Sequence, residues 1–165
     1  MFVYLLRHGI AEDFATGGDA ARRLTREGRD RLAAAAPTWR RCVQQLDRVY
    51  ASPLIRAAET AAELVAAVDH SDPIVELPGL LPEADPRFAA EILLADLRAG
   101  CHAVAMVGHE PHLGSLLGTL LHSQASIPFK RGMLVGVELS SAAAAFGRLV
   151  LCLSTRHATR ADGKR

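Results

Sequence analysis

Hydrophobic positions along this chain fall into two periods. Met1 to Leu6 is an unbroken apolar run, and Ala103-Val104-Ala105-Met106-Val107 is another. Runs of this length without polar alternation predict strands buried on both faces, as in a parallel sheet. Arg48-Val49-Tyr50-Ala51 predicts a short second strand, and Pro73 to Leu77 a third.

Between the strands the apolar positions recur at helical spacing. Thr25 caps a first helix with Glu27 in its first turn, where the helix dipole favours negative charge. Leu32, Ala35, Trp39, Val43 and Leu46 form its stripe, and Pro37 predicts a kink or break. Ser52 and Pro53 read as the N-cap and first residue of a second helix, with Leu54, Ala58, Ala61, Leu64, Val65 and Val68 inward. Asp85-Pro86 opens a third, which carries Ala89, Ile92, Leu93 and Leu97 and stops at Gly100. Pro111 opens a fourth with Leu113, Leu116, Leu117 and Leu120. Met133 to Leu139 and Phe146 to Leu153 read as a closing antiparallel pair at a sheet edge, turned through Ser140 to Ala145. Strands alternating with helices predict a three-layer α/β/α sandwich with a mostly parallel central sheet. Residues 1–153 read as a single domain and 154–165 as a polar, frayed tail.

Composition narrows the classes. The chain has 165 residues, half of them hydrophobic but only 5% aromatic, so the core is aliphatic and alanine-rich. A net charge of +1 gives no case for nucleic-acid binding. No apolar run approaches the about 20 residues of a membrane span. The first run lacks a basic flank and reads as a strand, not a signal peptide. Cys42, Cys101 and Cys152 lie far apart in no metal-type spacing, and read as reduced core residues of a cytoplasmic protein. The seven histidines show no clustered ligand spacing either, so no metal and no cofactor is expected.

Chemistry gathers where strands end. The first strand runs into Arg7-His8-Gly9 and the strand at 103–107 into Gly108-His109-Glu110-Pro111. In open α/β sheets ligands bind at the carboxyl ends of the strands. Gly9 lets the backbone turn and a substrate come close. Arg56, in the first turn of the second helix, belongs to the same face, where free helix amides favour an anion. Two arginine forks and two histidines suit a phosphoryl group. No glycine-rich Walker loop is present. Neutral His8 can attack phosphorus in line if its other ring nitrogen donates to an acceptor, most simply a backbone carbonyl after the strand. Arg7, Arg56 and a protonated His109 would stabilise the transferring charge.

Leu6-Arg7-His8-Gly9, Leu24-Thr25-x-x-Gly28, Ser52-Pro53-Leu54-x-Arg56-Ala57-x-Glu59-Thr60 and Gly108-His109 occur in this order. Together they resemble the histidine phosphatase, or phosphoglycerate-mutase-like, superfamily. The short chain and the Gly108-His109-Glu110-Pro111 form look like its minimal bacterial branch, the SixA-type phosphohistidine phosphatases. The resemblance implies a metal-independent hydrolase with His8 as the nucleophile that becomes phosphohistidine. It implies Arg7, Arg56 and His109 as the phosphate pocket, and Arg22 near the pocket mouth. Larger members carry their general acid in a long insertion after the third strand. Here that segment is short, with Glu83 as the acid candidate and Asp85 as a helix cap.

The expected substrate is phosphohistidine on a protein. A small phosphoester is the alternative, but it would call for a large cap, and no room for one lies between Leu77 and Asp85. A non-catalytic phosphate binder would need the arginines but not His8. Glu59 reads as structural, paired with an arginine or a backbone amide. His70, His102, His112, His122 and His157 read as ordinary loop or helix residues, and Lys130-Arg131 as a solvated edge.

Overall fold

A computed structural model describes residues 1–123, 127–140 and 147–155. Its strands are β1 (Phe2–Arg7), β2 (Arg48–Ala51), β3 (Val75–Glu76), β4 (Ala103–Gly108), β5 (Leu134–Leu139) and β6 (Gly147–Leu153). Its helices are α1 (Arg26–Cys42), α2 (Ile55–Ala67), α3 (Pro86–Arg98) and α4 (His112–Leu120). The strands form one sheet in the order β3-β2-β4-β1-β5-β6. The pairs β3–β2, β2–β4 and β4–β1 are parallel, while β5 runs antiparallel to both β1 and β6. The predicted closing pair is therefore the antiparallel edge of a mostly parallel sheet.

The apolar runs fill both faces of that sheet, as their lack of alternation requires. Tyr4 and Leu6 of β1 join one core with Leu32, Ala35 and Trp39 of α1 and Ala57, Ala61 and Leu64 of α2. Val3 and Leu5, which point the other way, join a second core with Leu93 of α3 and Leu113, Leu116 and Leu117 of α4. The result is three layers with helices on both faces. The tail at 156–165 and the turn at 141–146 lie outside the described residues.

Several local expectations change. Pro37 lies inside a continuous α1. Pro37 and Ala33, whose carbonyl loses its N–H partner, are both exposed, so water can take that carbonyl. Buried Leu32, Ala35 and Trp39 hold the helix on either side. The third strand shrinks to Val75–Glu76, an exposed edge paired only with β2. Helix α2 starts later than expected, with Leu54 in the cap position and no capping side chain. Its buried face is Arg56, Ala57, Thr60, Ala61, Leu64 and Ala67, and Ala58 is exposed. The cysteines are not core residues: Cys42 and Cys152 are exposed and Cys101 half-buried, and all three are free thiols. Cys42 ends α1, and Cys152 sits on the edge strand β6, where one side has no covering helix. Thr25 and Asp85 cap α1 and α3 as expected, accepting from Gly28 N and Arg87 N.

Two motif residues explain themselves as packing. A side chain on Gly28 would put a Cβ 2.1 Å from the Ile10 carbonyl oxygen, so the first turn of α1 presses directly on the chain leaving β1. Glu59 of α2 accepts from Leu24 N (2.8 Å) and Arg23 Nε (2.8 Å), and pairs with Arg29 Nη2 (2.9 Å). Burial acts to raise its pKa, but these donors outweigh it and hold the carboxyl below its ordinary range. Removing the carboxylate in Glu59→Ala is expected to cost about 2 kcal/mol, since it leaves the buried Leu24 amide unpaired. Urea unfolding measures this, and an unchanged midpoint would show that the arginines and water replace the tie.

Candidate active site

The connections from β1 and β4 leave in opposite directions: β1 leads through α1 to β2 on one side, and β4 leads through α4 to β5 on the other. The crevice at such a switch point is where open α/β sheets bind ligands. Register places the chemistry in it. Arg7 pairs with Gly108, and Ala51 pairs with Val107. His8, His109 and Ser52 are the residues that follow, so β1 and β4 end level with each other and β2 ends one residue short of them. His8 N donates to Gly108 O (3.0 Å) and Ser52 N to Val107 O (2.9 Å), which extends the ladder by one step. The two imidazoles lie 5.0 Å apart, tilted by 52°.

Both rings are buried, His8 at 7% and His109 at 2% exposure. His8 Nδ1 lies 2.7 Å from the Gly9 carbonyl oxygen. A carbonyl can only accept, so Nδ1 carries the proton and Nε2 keeps its lone pair. This is the backbone acceptor that the sequence called for. Burial depresses the His8 pKa to about 4, against the Gly9 hydrogen bond and helped by Arg56 and Arg7. Burial, then His8 and Arg56, depresses His109 to about 3. The sequence reading had a protonated His109; at neutral pH it is neutral, because burial penalises the charged ring and nearby Arg56 adds to the penalty. Its Nε2 lies 2.8 Å from Ser52 Oγ. Ser52, expected as a helix cap, instead sits 1% exposed against His109.

The arginines are held from behind. Arg7 Nη1 donates to Phe129 O (2.5 Å). Arg56, 4% exposed, donates through Nη1 to the Asp19 carbonyl (2.7 Å) and through Nη2 to Asp19 Oδ2 (2.8 Å). Arg7 Nε, Arg56 Nε and His109 Nδ1 are buried and have no hydrogen-bond partner among the described residues. Buried donors without partners are costly. The two guanidinium Nε–H groups are such donors, and both arginines act electrostatically on His8. Thr60 joins the two halves: its hydroxyl accepts from Gly9 N (3.1 Å) and donates to Arg56 O (2.7 Å).

Arg22 reaches the mouth indirectly. It donates to the Glu12 carbonyl and pairs with Asp19 Oδ1 at 2.7 Å, on the same carboxylate that holds Arg56. The loop that carries it is closed at its base by Glu12 N→Arg23 O and Thr25 N→Ile10 O (both 2.9 Å) and includes a short 3-10 turn, Asp19–Ala21. Gly9 differs from expectation. Its missing side chain faces Leu32 Cδ1 (2.9 Å) and Leu24 Cδ2 (3.2 Å), so the space is taken by core and not by a substrate. Glu83 stands exposed on the turn before α3 and bonds to none of the pocket residues. Asp85 is committed to Arg87 and the α3 cap.

Three further residues were missed in the sequence: Ser52, Asp19 and Glu110. Lys130 and Arg131 are both exposed, as a solvated edge requires, and the charge of Arg131 acts on His8 less than Arg56 and Arg7 do, and on Arg7 less than Glu110 does. Glu110 sets a carboxylate against the Arg7 charge, with Oε2 buried and unpartnered. His112 is not an ordinary surface histidine but is 2% exposed, and burial depresses its pKa. His157 lies outside the described residues. Among the described residues no three His, Cys, Asp or Glu side chains cluster as metal ligands, and no helix is long and apolar enough to cross a membrane.

Two buried imidazoles and two arginines gathered at an α/β switch point make a basic crevice suited to an anion. The profile of the histidine phosphatase superfamily (branch 1) matches residues 3–85, and the chain belongs to that family. It is 27% identical to the phosphohistidine phosphatase SixA of Escherichia coli (strain K12) over 139 residues, 84% of this chain and 86% of that one. The solved structure of the protein histidine phosphatase SixA complexed with tungstate superimposes with a TM-score of 0.89 at 26% identity, covering 95% of this chain and 99% of that one. A phosphoserine phosphatase variant from Entamoeba histolytica in complex with phosphoserine shares the fold, with a TM-score of 0.71 at 16% identity over 94% and 98% of the two chains. The fold is thus phosphoglycerate-mutase-like and the protein a phosphatase of the hydrolase class.

The pKa of His8 gives a direct expectation. The free enzyme's ionisations shape kcat/KM. With His8 at about 4, kcat/KM is expected to stay level down to about pH 5 and to fall nearer pH 4, once the substrate phosphate's own titration is divided out. An acid limb near the ordinary histidine value of about 6.5 would show that His8 is far better solvated than this geometry allows.

Proposed function

We propose that the protein hydrolyses phosphohistidine on a protein substrate through a covalent intermediate on His8, without a metal ion. The observation that carries this is the Nδ1–H of His8 on the Gly9 carbonyl, which leaves Nε2 as a lone pair beside His109 and under the charge of Arg7 and Arg56. Nε2 of His8 attacks the phosphorus on a substrate ring already protonated by solvent on its other nitrogen; the P–N bond breaks, the leaving nitrogen keeps the electron pair, and neutral imidazole departs. Positive charge develops on the His8 ring, and the Gly9 carbonyl stabilises it through Nδ1–H. Water then forms the new P–O bond, Nε2 leaves phosphorus with its lone pair restored, and the released proton goes to solvent. Arg7, Arg56 and His109 bind the transferring oxygens, so their charge and N–H groups do what metal ions do elsewhere. Arg22 belongs to the mouth through Asp19.

The protein substrate is supported by three features. The segment from Leu77 to Asp85 holds only a short 3-10 turn, Pro78–Leu80, with no inserted cap. Phe14, on the loop that brings Asp19 to Arg56, is 91% exposed, an apolar side chain available to another surface. The acid candidate Glu83 is exposed, and phosphohistidine needs little proton donation because imidazole is a good leaving group. An alkyl phosphoester leaves as an alkoxide and depends on a placed acid worth roughly 10²–10⁴-fold. The likeness to SixA points the same way.

His8→Ala is expected to abolish turnover and acid-labile labelling of the protein, and persistent turnover would remove His8 from the mechanism. Arg56→Lys is expected to lose about a hundredfold in kcat/KM, since lysine cannot supply the fork. Exhaustive chelation should leave activity intact. The ranking test is kcat/KM for a phosphohistidine protein beside sugar and glycerol phosphates. A small phosphoester winning that comparison would replace the protein substrate with the alternative.

A further inference from the structure

Ser52 belongs to no helix and faces no solvent. Its backbone is fixed by Ser52 N→Val107 O, which sets its side chain beside the end of β4. The hydroxyl has two neighbours. Leu54 N donates to Oγ at 3.4 Å, which uses an oxygen lone pair. His109 Nε2 lies 2.8 Å away. A hydroxyl has one hydrogen to give, and here Nε2 is the acceptor in reach. The opposite arrangement, with Nε2–H donating to Oγ, would leave the hydroxyl hydrogen without an acceptor at a 1% exposed site. It would also leave His109 Nδ1, buried and without a partner, as a bare lone pair in a pocket that receives anions.

We infer that Ser52 is a positioning residue: its hydroxyl donates to His109 Nε2 and holds His109 as the neutral Nδ1–H tautomer, so that the ring offers a donor to a phosphoryl oxygen without carrying a charge. This rests on the phosphoryl reading of the pocket. The arrangement mirrors that of His8. The Gly9 carbonyl, which only accepts, keeps the proton on Nδ1 and frees His8 Nε2 to attack. The Ser52 hydroxyl, which has already accepted from Leu54, donates and turns His109 into a neutral donor. Two histidines of like burial thereby take opposite roles toward phosphorus, one nucleophile and one hydrogen-bond donor, decided by the partner behind each ring. A neutral donor also spares the site a third buried cation next to Arg7 and Arg56.

The test reads the tautomer directly, on the full chain with 15N-labelled histidine. In the wild type at neutral pH, long-range 1H–15N spectra should give His109 a protonated Nδ1 and an unprotonated Nε2. Ser52→Ala should move His109 toward Nε2–H, and Ser52→Thr, which keeps a hydroxyl, should restore Nδ1–H. With p-nitrophenyl phosphate, Ser52→Ala should lower kcat about tenfold and change KM much less, because the lost donor matters most as charge develops. Wild-type His109 carrying its proton on Nε2, or being charged, would overturn the inference, and this holds whether or not the variants fold. Retention of Nδ1–H in a folded Ser52→Ala would also overturn it. Titration with inorganic phosphate separates the two claims. If the tautomer is as stated and the Nδ1–H resonance shifts with phosphate, both stand. If the resonance does not move, the phosphoryl reading of the pocket fails while Ser52's control of the tautomer remains.

Discussion

The site depends on a parallel ladder held in step. Arg7 opposite Gly108 and Ala51 opposite Val107 bring the ends of β1, β4 and β2 within one residue of the same level. A strand residue advances by about 3.3 Å and points to alternate faces. A slip of one residue between β1 and β4 would turn one imidazole into a helix layer and part the pair. The apolar runs of β1 and β4 enforce the register, because both faces of both strands are packed and no slipped alignment fills the two cores equally well. Stability and chemistry here are properties of the same hydrogen bonds.

Keeping four basic side chains together in a dry crevice is costly in charge, and the structure meets the cost in two ways. The histidines are neutral, through burial and through fixed partners on one nitrogen each. Arg7 rests on a backbone carbonyl, and Arg56 on a carbonyl and a carboxylate. The guanidinium Nε of each arginine is buried without a hydrogen-bond partner among the described residues. Pre-set donors that need no rearrangement are the main source of electrostatic stabilisation in enzyme sites.

Much of this was legible in the sequence, and the reason is local. Arg7 and His8 are adjacent and end an apolar run, His109 ends another, and Arg56 follows a strand-to-helix junction. Periodicity alone puts them on one face, and the family resemblance covers the same blocks. What was not legible depends on partners distant in sequence. Ser52 looks like a cap until the β2–β4 register sets it against His109. Asp19 is one acidic loop residue among several until it meets Arg56, 37 positions away. Pro37 carries a strong local rule against helix, yet packing on both sides and exposure of the freed carbonyl override it. Cys152 was misjudged because average burial says nothing about which face of an edge strand a residue takes, and Cys42 because it ends α1 outside the buried stripe. Gly9 was read as room for a substrate, when the room belongs to Leu24 and Leu32.

The Asp19 clasp on Arg56 makes recognition an exchange. Arg56 already gives one N–H group to the Asp19 carboxylate and another to the Asp19 backbone carbonyl. An incoming anion that takes those hydrogens does not meet a naked cation but evicts a carboxylate into water, where that group is well solvated. The affinity of such an anion is then a difference between two ion pairs, smaller than the strength of either. A crevice that discharges its own product gains from this: when inorganic phosphate departs, the arginine is not left exposed to an empty site, because the carboxylate tethered by its loop is at hand to return.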